Sequence, residues 1–302
     1  HLWIDGRQAK TMGVPEREDY QPSMGNSYII FEGRGETEIL LAVSNYSSFY
    51  SGMVYPPAFG SPDGVRNTIY IRAMVHCVLA SSALLLGLVC LQKGIKGRDA
   101  PIYRIFFLMC LCFSCYCGYP VIHFLNIPGD GWYLAEKTAL YLMILTVCNL
   151  AGRMFRVPMV IRCVVFGAGC AVCLLVLAFP LFPMRWDVGS MRLYSGILSF
   201  WQWFAAAYLG ISGVWAFLKK ERFARGILLG TGVFSCALIF WRILPAWEPV
   251  YTGWPMEWGG LFQILVIAGG LTADTRKEEW NMAQLRRRVD MAEEHLHAQK
   301  DY

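Results

Sequence analysis

Residues 70–92 read YIRAMVHCVLASSALLLGLVCLQ, and this stretch decides the class of the protein. It is about as long as the roughly 20 apolar residues a helix needs to cross the hydrocarbon core of a bilayer. Comparable stretches follow at 102–124, 134–152, 160–180, 193–218, 226–244 and 257–273. The last is short, and the fifth is long enough to tilt. Gly- and Pro-rich joints separate them, among them KGIKGRDAP, NIPGDGW, FPMRWDVGS and PAWEPVYTGWP. The expectation is a mainly α membrane protein with a seven-helix transmembrane domain over 68–273.

Composition agrees. Of 302 residues, 56% are hydrophobic and 16% charged, outside the balance of a soluble domain. The net charge of +5 sits in short basic clusters between apolar runs, which points away from nucleic acid and toward a lipid bilayer. Lys93, Lys96, Arg98 and Arg104 follow the first span, Arg153, Arg156 and Arg162 the third, and Lys219, Lys220, Arg222 and Arg225 the fifth. The alternate loops hold only Arg185 and Arg192, with Lys137 just inside the third span. The positive-inside rule then places the N-terminus outside and the C-terminus in the cytoplasm, which requires an odd number of spans. Trp132, Trp186, Trp247, Trp254 and Trp258 fall at or beside the outer loops, where indole rings favour the interface.

Residues 1–67 have strand character. HLWIDGRQ alternates around an Asp5-Gly6 turn signal, and NSYIIFEG and ETEILLAVSNY are β-rich runs. They read as the C-terminal part of an extracytoplasmic antiparallel β-sandwich whose earlier strands are absent. The segment SSFYSGMVYPPAFGSPDGVRN then approaches the membrane, and Asn45-Tyr46-Ser47 has the form of a glycosylation sequon.

The closing stretch, 274–302, is a charged helix. Leu271, Thr275, Glu278, Met282, Leu285, Val289, Ala292, Leu296 and Gln299 follow the 4-3 spacing of a coiled-coil seam, apolar from Met282 to Leu296. A parallel homodimer through this helix is expected. His295 and His297 lack the acid that normally follows a phospho-accepting histidine, and read as solvated positions. The stretch has no helix stop, so the chain reads as cut between a sensor and an output domain.

Candidate chemistry is sparse. Glu136 beside Lys137, and Glu257 at the mouth of the last span, read as interfacial groups where solvation is easy. No buried carboxylate is expected, which counts against a proton-coupled transporter. His76 and His123 read as packed or interfacial rather than metal ligands, and no cofactor or metal is implied. Asn149, Gln202 and Gln263 could bridge helices, and Arg242 could snorkel or pair with an anion. The eleven cysteines, all in apolar segments, read as small hydrophobes rather than disulfides, and the run Cys110, Cys112, Cys115, Cys117 lacks the second pair or polar His of a metal site. There is no phosphate loop, nucleophile elbow or zinc-protease helix, so no catalytic site is expected. Ala151-Gly152-Arg153-Met154 lacks the acid-Arg-aromatic triplet of the commonest G-protein-coupled receptors.

The order of parts, with ILLAVSNYSSFYSGMVYPPAFG closing the strand region and EEWNMAQLRRRVDMAEEHLHAQKDY after the last span, resembles the bacterial seven-transmembrane receptors with diverse intracellular signalling modules. The final helix is similar to the connector before a histidine-kinase module, though diguanylate cyclases use similar connectors. The resemblance implies a bacterial plasma-membrane receptor for an extracytoplasmic small molecule, with carbohydrate among the candidates. It implies signalling through the coiled coil to a histidine kinase and thence a response regulator. A transporter or channel is the alternative, for which inverted repeats, broken helices or midplane charges would speak.

Overall fold

The computed structural model describes the backbone of all residues except 15, 17, 22, 24, 26, 34, 45–58, 95–99, 128–130, 183–186, 221–223, 244–253 and 301–302. Side chains are additionally not described at 224, 225, 242, 274–279, 281–283, 285, 286, 290 and 292–300. The chain is mostly helical: α1 (Pro62–Gly94), α2 (Ala100–Cys117), α3 (Tyr119–Phe124), α4 (Gly131–Met154), α5 (Met159–Ala178), α6 (Val188–Leu218), α7 (Ala224–Ile243) and α8 (Pro255–Lys300). A short 3-10 turn, Phe179–Leu181, extends α5.

Each expected apolar stretch overlaps one of these helices, with α2 and α3 sharing the second. Six are long and apolar enough to cross a bilayer: α1, α2 continued by α3, α4, α5 with its 3-10 turn, α6, and the Pro255–Ala273 part of α8. The seventh expected stretch falls on α7, a helix of 20 residues whose described apolar portion is Gly226–Trp241.

The helices pack as a closed ring. α1 lies on α2, α2 on α4, α4 on α5 and α6, α6 on α7 and α7 on α8, while α8 returns to α1 and α2. α4 is the central helix: 67% of its apolar window is buried, against 28% for α1 and α5. Val78 and Leu85 on α1, Val160 and Val164 on α5, and Phe200 and Ile211 on α6 face outward. An apolar outer surface of this kind is what a bilayer solvates. Close contacts set the helix spacing. A Cβ on Gly260 of α8 would lie 2.4 Å from the Phe113 ring of α2, so only glycine lets these two helices meet there.

α8 is one unbroken helix of 46 residues, about 69 Å long. The last apolar stretch and the charged tail are therefore a single rod rather than two elements. Val289 of the expected seam is 49% exposed in the single chain. The side chains of Met282, Leu285, Ala292 and Leu296 lie outside the described residues, as does that of Arg242.

The N-terminal region forms one sheet. β1 (Leu2–Ile4), β2 (Arg7–Lys10) and β3 (Ile39–Leu41) are antiparallel in the order β2-β1-β3. The Asp5-Gly6 turn is confirmed by positive φ at both residues, +49° and +74°, the geometry of a tight hairpin. Among the described residues there is no second sheet, and the run 27–33 forms no strand. Ile39, Leu40 and Leu41 stay exposed, so the sheet presents apolar side chains with no second layer over them among the described residues. The sandwich expectation reduces to three strands. The sequon at Asn45 and the SSFYSGMVYPPA approach lie outside the described residues. Gly25 rests against Asn126 and the His123 carbonyl, placing the N-terminal region at the α3 end of the bundle.

Candidate functional site

At the sheet-bearing end, four elements converge on a polar cluster inside an otherwise apolar bundle. Arg72 and His76 are four residues apart on α1 and share one face. Tyr116 stands in the last turn of α2, and Gly118 separates it from α3, whose first turn carries Pro120 where the helix has no backbone donor to lose. Trp254 precedes α8, and Glu257 stands in its first turn, where the helix dipole favours a carboxylate.

His76 is fully buried and Glu257 is 2% exposed. His76 Nδ1 lies 2.9 Å from the Arg72 carbonyl oxygen, the i−4 position on its own helix. Its Nε2 stands 3.7 Å from Glu257 Oε1, ion-pair distance but beyond a hydrogen bond. The Tyr116 hydroxyl donates to the same carboxylate oxygen at 3.3 Å. The Arg72 guanidinium donates to the Tyr119 hydroxyl at 2.5 Å and lies 5.6 Å and 6.0 Å from the Tyr119 and Trp254 ring centres. The His76 ring meets Trp254 edge-on at 4.8 Å and Tyr119 at 5.8 Å. Tyr119 then contacts His123, and His123 contacts Tyr133 of α4.

Glu257 is thus the principal correction to the sequence reading. It was expected at an interface where water is at hand; instead α1, α2 and α8 close around it. A buried carboxylate without compensation costs several kcal/mol, and the Tyr116 hydroxyl and the α8 dipole are its compensation. His76 and His123, read as packed or interfacial, flank one ring, Tyr119. The signal was present in the chain: Arg72/His76, Tyr116/Tyr119/His123 and Trp254/Glu257 each repeat at three- or four-residue spacing near the same end.

The remaining candidates are scattered. Gln202 of α6 donates to the Tyr141 hydroxyl of α4 at 2.9 Å, the interhelical bridge expected of it. Asn149 instead accepts from Arg153 Nε, one turn along its own helix. Gln263 is buried against Gly230 of α7, with no hydrogen-bond partner for its amide among the described residues. Glu136 and Lys137 are 3.6 Å apart, and Lys137 lies over the Trp241 ring. The eleven cysteines are all free thiols, dispersed between core and outer surface. Among the described residues, no three His, Cys, Asp or Glu side chains come together as a metal site.

The cluster links α1, α2, α3 and α8 through polar and ring contacts. It contains no nucleophile–base pair of the kind hydrolytic enzymes use. Comparison with protein-family models, with curated proteins and with solved structures finds no match to the chain.

Proposed function

We propose that this chain is the sensor portion of a multi-pass receptor of the bacterial plasma membrane. In this reading α7 completes a seven-helix bundle, the N-terminal sheet lies outside and the charged tail in the cytoplasm. A small-molecule ligand at the sheet-bearing end shifts helix packing, and the tail passes the shift to an output module of the histidine-kinase type. The observation that carries the reading is the continuity of α8. The residue that anchors the buried cluster, Glu257, and the charged tail to Lys300 belong to one uninterrupted helix. A rotation or shift imposed at Glu257 therefore moves the tail as a lever, and a small differential ligand affinity suffices to bias two such states.

The tail is the part to test. Single cysteines introduced at each position from Met282 to Leu296, oxidised in membranes, should give dimer yields that peak at Met282, Leu285, Val289, Ala292 and Leu296. The unmodified chain supplies the background from its own thiols. Yields without helical periodicity would overturn a parallel coiled coil and, with it, this mode of signalling.

The burial of Glu257 favours a second reading, a proton-coupled transporter or channel, because it supplies the carboxylate such a protein needs. Vesicles carrying the chain and a trapped pH dye separate the two. The receptor reading expects no proton flux above that of empty vesicles; flux abolished by Glu257→Gln would establish transport.

A further inference from the structure

His76 and Glu257 join α1 to α8, and their heavy atoms fix where hydrogens can lie. His76 Nδ1 is 2.9 Å from the Arg72 carbonyl, and a carbonyl oxygen only accepts, so Nδ1 carries a hydrogen. In the neutral ring Nε2 is then an acceptor. It faces Glu257 Oε1 at 3.7 Å, which in the carboxylate is also an acceptor. Two acceptors have no hydrogen to share, and the 3.7 Å separation is about 0.9 Å longer than a charge-assisted hydrogen bond. Nε2 has no other hydrogen-bond partner among the described residues.

We propose that His76 and Glu257 together form a proton-binding site that tightens the α1–α8 contact when occupied. The proton comes from the aqueous phase at the sheet-bearing end and is held on Nε2. Nε2–H then donates to Oε1, and the separation closes from 3.7 Å to about 2.8 Å. The neighbouring groups fit this role. Arg72 on α1 carries a permanent positive charge, spread over the Tyr119 and Trp254 rings, that opposes a second cation nearby. From α2, Tyr116 and Cys117 interact with Glu257; from α3, Tyr119 and then His123 line the other side of the ring. Glu136 of α4 interacts electrostatically with Tyr116. Glu257 is the sole carboxylate at ion-pair distance of the imidazole among the described residues, and the imidazolium depends on it.

Because α8 is unbroken, a closure of about 1 Å at Glu257 also displaces the tail. This last step rests on the receptor reading above; the proton site itself does not.

The Trp254 ring, edge-on to His76 at 4.8 Å, is the reporter, since an imidazolium quenches indole fluorescence more strongly than a neutral imidazole. The chain in lipid nanodiscs is compared at pH 8 and pH 5, alongside Trp254→Phe, His76→Gln and Glu257→Gln. The expected result is an acid-induced fall in emission that all three variants lose. A fall of the same size in His76→Gln overturns the proposal. Should the variants misfold, nitrogen-15 histidine spectra of the unaltered chain decide. A slowly exchanging Nδ1–H ring must gain a second N–H between pH 8 and pH 5, and no such ring overturns the site. Cross-linking yields along 282–296 at both pH values test the transmission step. A pH-dependent pattern absent in Glu257→Gln supports it, and an unchanged pattern beside a real fluorescence response overturns that step. Yields flat at every position defeat the receptor reading instead.

Discussion

Substituting Gly260 tests the packing of the bundle and of the site in one experiment. A Cβ at this position would lie 2.4 Å from Phe113 Cε2 and 2.8 Å from Cδ2, against an optimum of roughly 3.5–4.0 Å. Phe113 is completely buried and cannot swing aside, so α2 and α8 must separate or the ring must leave its rotamer. Overpacking of this kind costs about 1–3 kcal/mol, offset by at most about 1 kcal/mol of helix propensity on going from Gly to Ala. The same helix supplies the control: a Cβ on Gly270 meets no heavy atom within 4 Å. Gly270→Ala should be neutral or stabilising by up to about 1 kcal/mol. The two variants should thus differ by about 2 kcal/mol, or several degrees at about 2–4 °C per kcal/mol. A thiol-reactive dye reads this directly, because Cys110, Cys112, Cys117 and Cys148 are buried until the bundle opens. Adding Phe113→Leu should recover part of the loss. Gly260→Ala melting at or above Gly270→Ala would refute the α2–α8 contact, and with it the walls around Glu257.

Other expectations follow from single contacts. A double-mutant cycle between Gln202→Leu and Tyr141→Phe should give a coupling of about 0.6 kcal/mol in thermal or denaturant unfolding, the usual worth of an interhelical bond in a membrane. A coupling of zero would mean that the 2.9 Å contact does not persist. Asp187 caps α6 by accepting from the Gly189 and Ser190 amides, and hydrogen bonding to Ser190 holds its carboxyl below the usual aspartate value. With the folded-state value depressed, its contribution is full above the unfolded value near 4 and is lost as pH falls through the folded one. Asp187→Ala should therefore lower the melting midpoint at neutral pH and lose that penalty at strongly acidic pH. A penalty that does not change with pH would show that charge plays no part in the cap.

The chain declares its class without help from tertiary structure. Runs such as 70–92 and 160–180 can only be satisfied by helices surrounded by apolar groups, because backbone donors and acceptors must pair internally there. Their boundaries were legible too, since Gly, Pro and basic clusters mark each joint. The Asp5-Gly6 hairpin was equally local: two adjacent residues that tolerate positive φ. Gln202 was singled out because an amide inside a membrane helix needs a partner, although nothing in the sequence named Tyr141.

What required the folded molecule was everything that depends on which faces meet. Glu257 stands near a helix start, next to a loop, and by position alone it has easy access to water. It is buried because Gly260, one turn on, lets α8 press against Phe113, while α1 brings Arg72 and His76 to the same end from 180 residues away. Hydropathy is a property of one helix at a time. The proton-binding pair is a property of three helices packed at contact distance, and only their packing brings a buried acid within reach of a histidine.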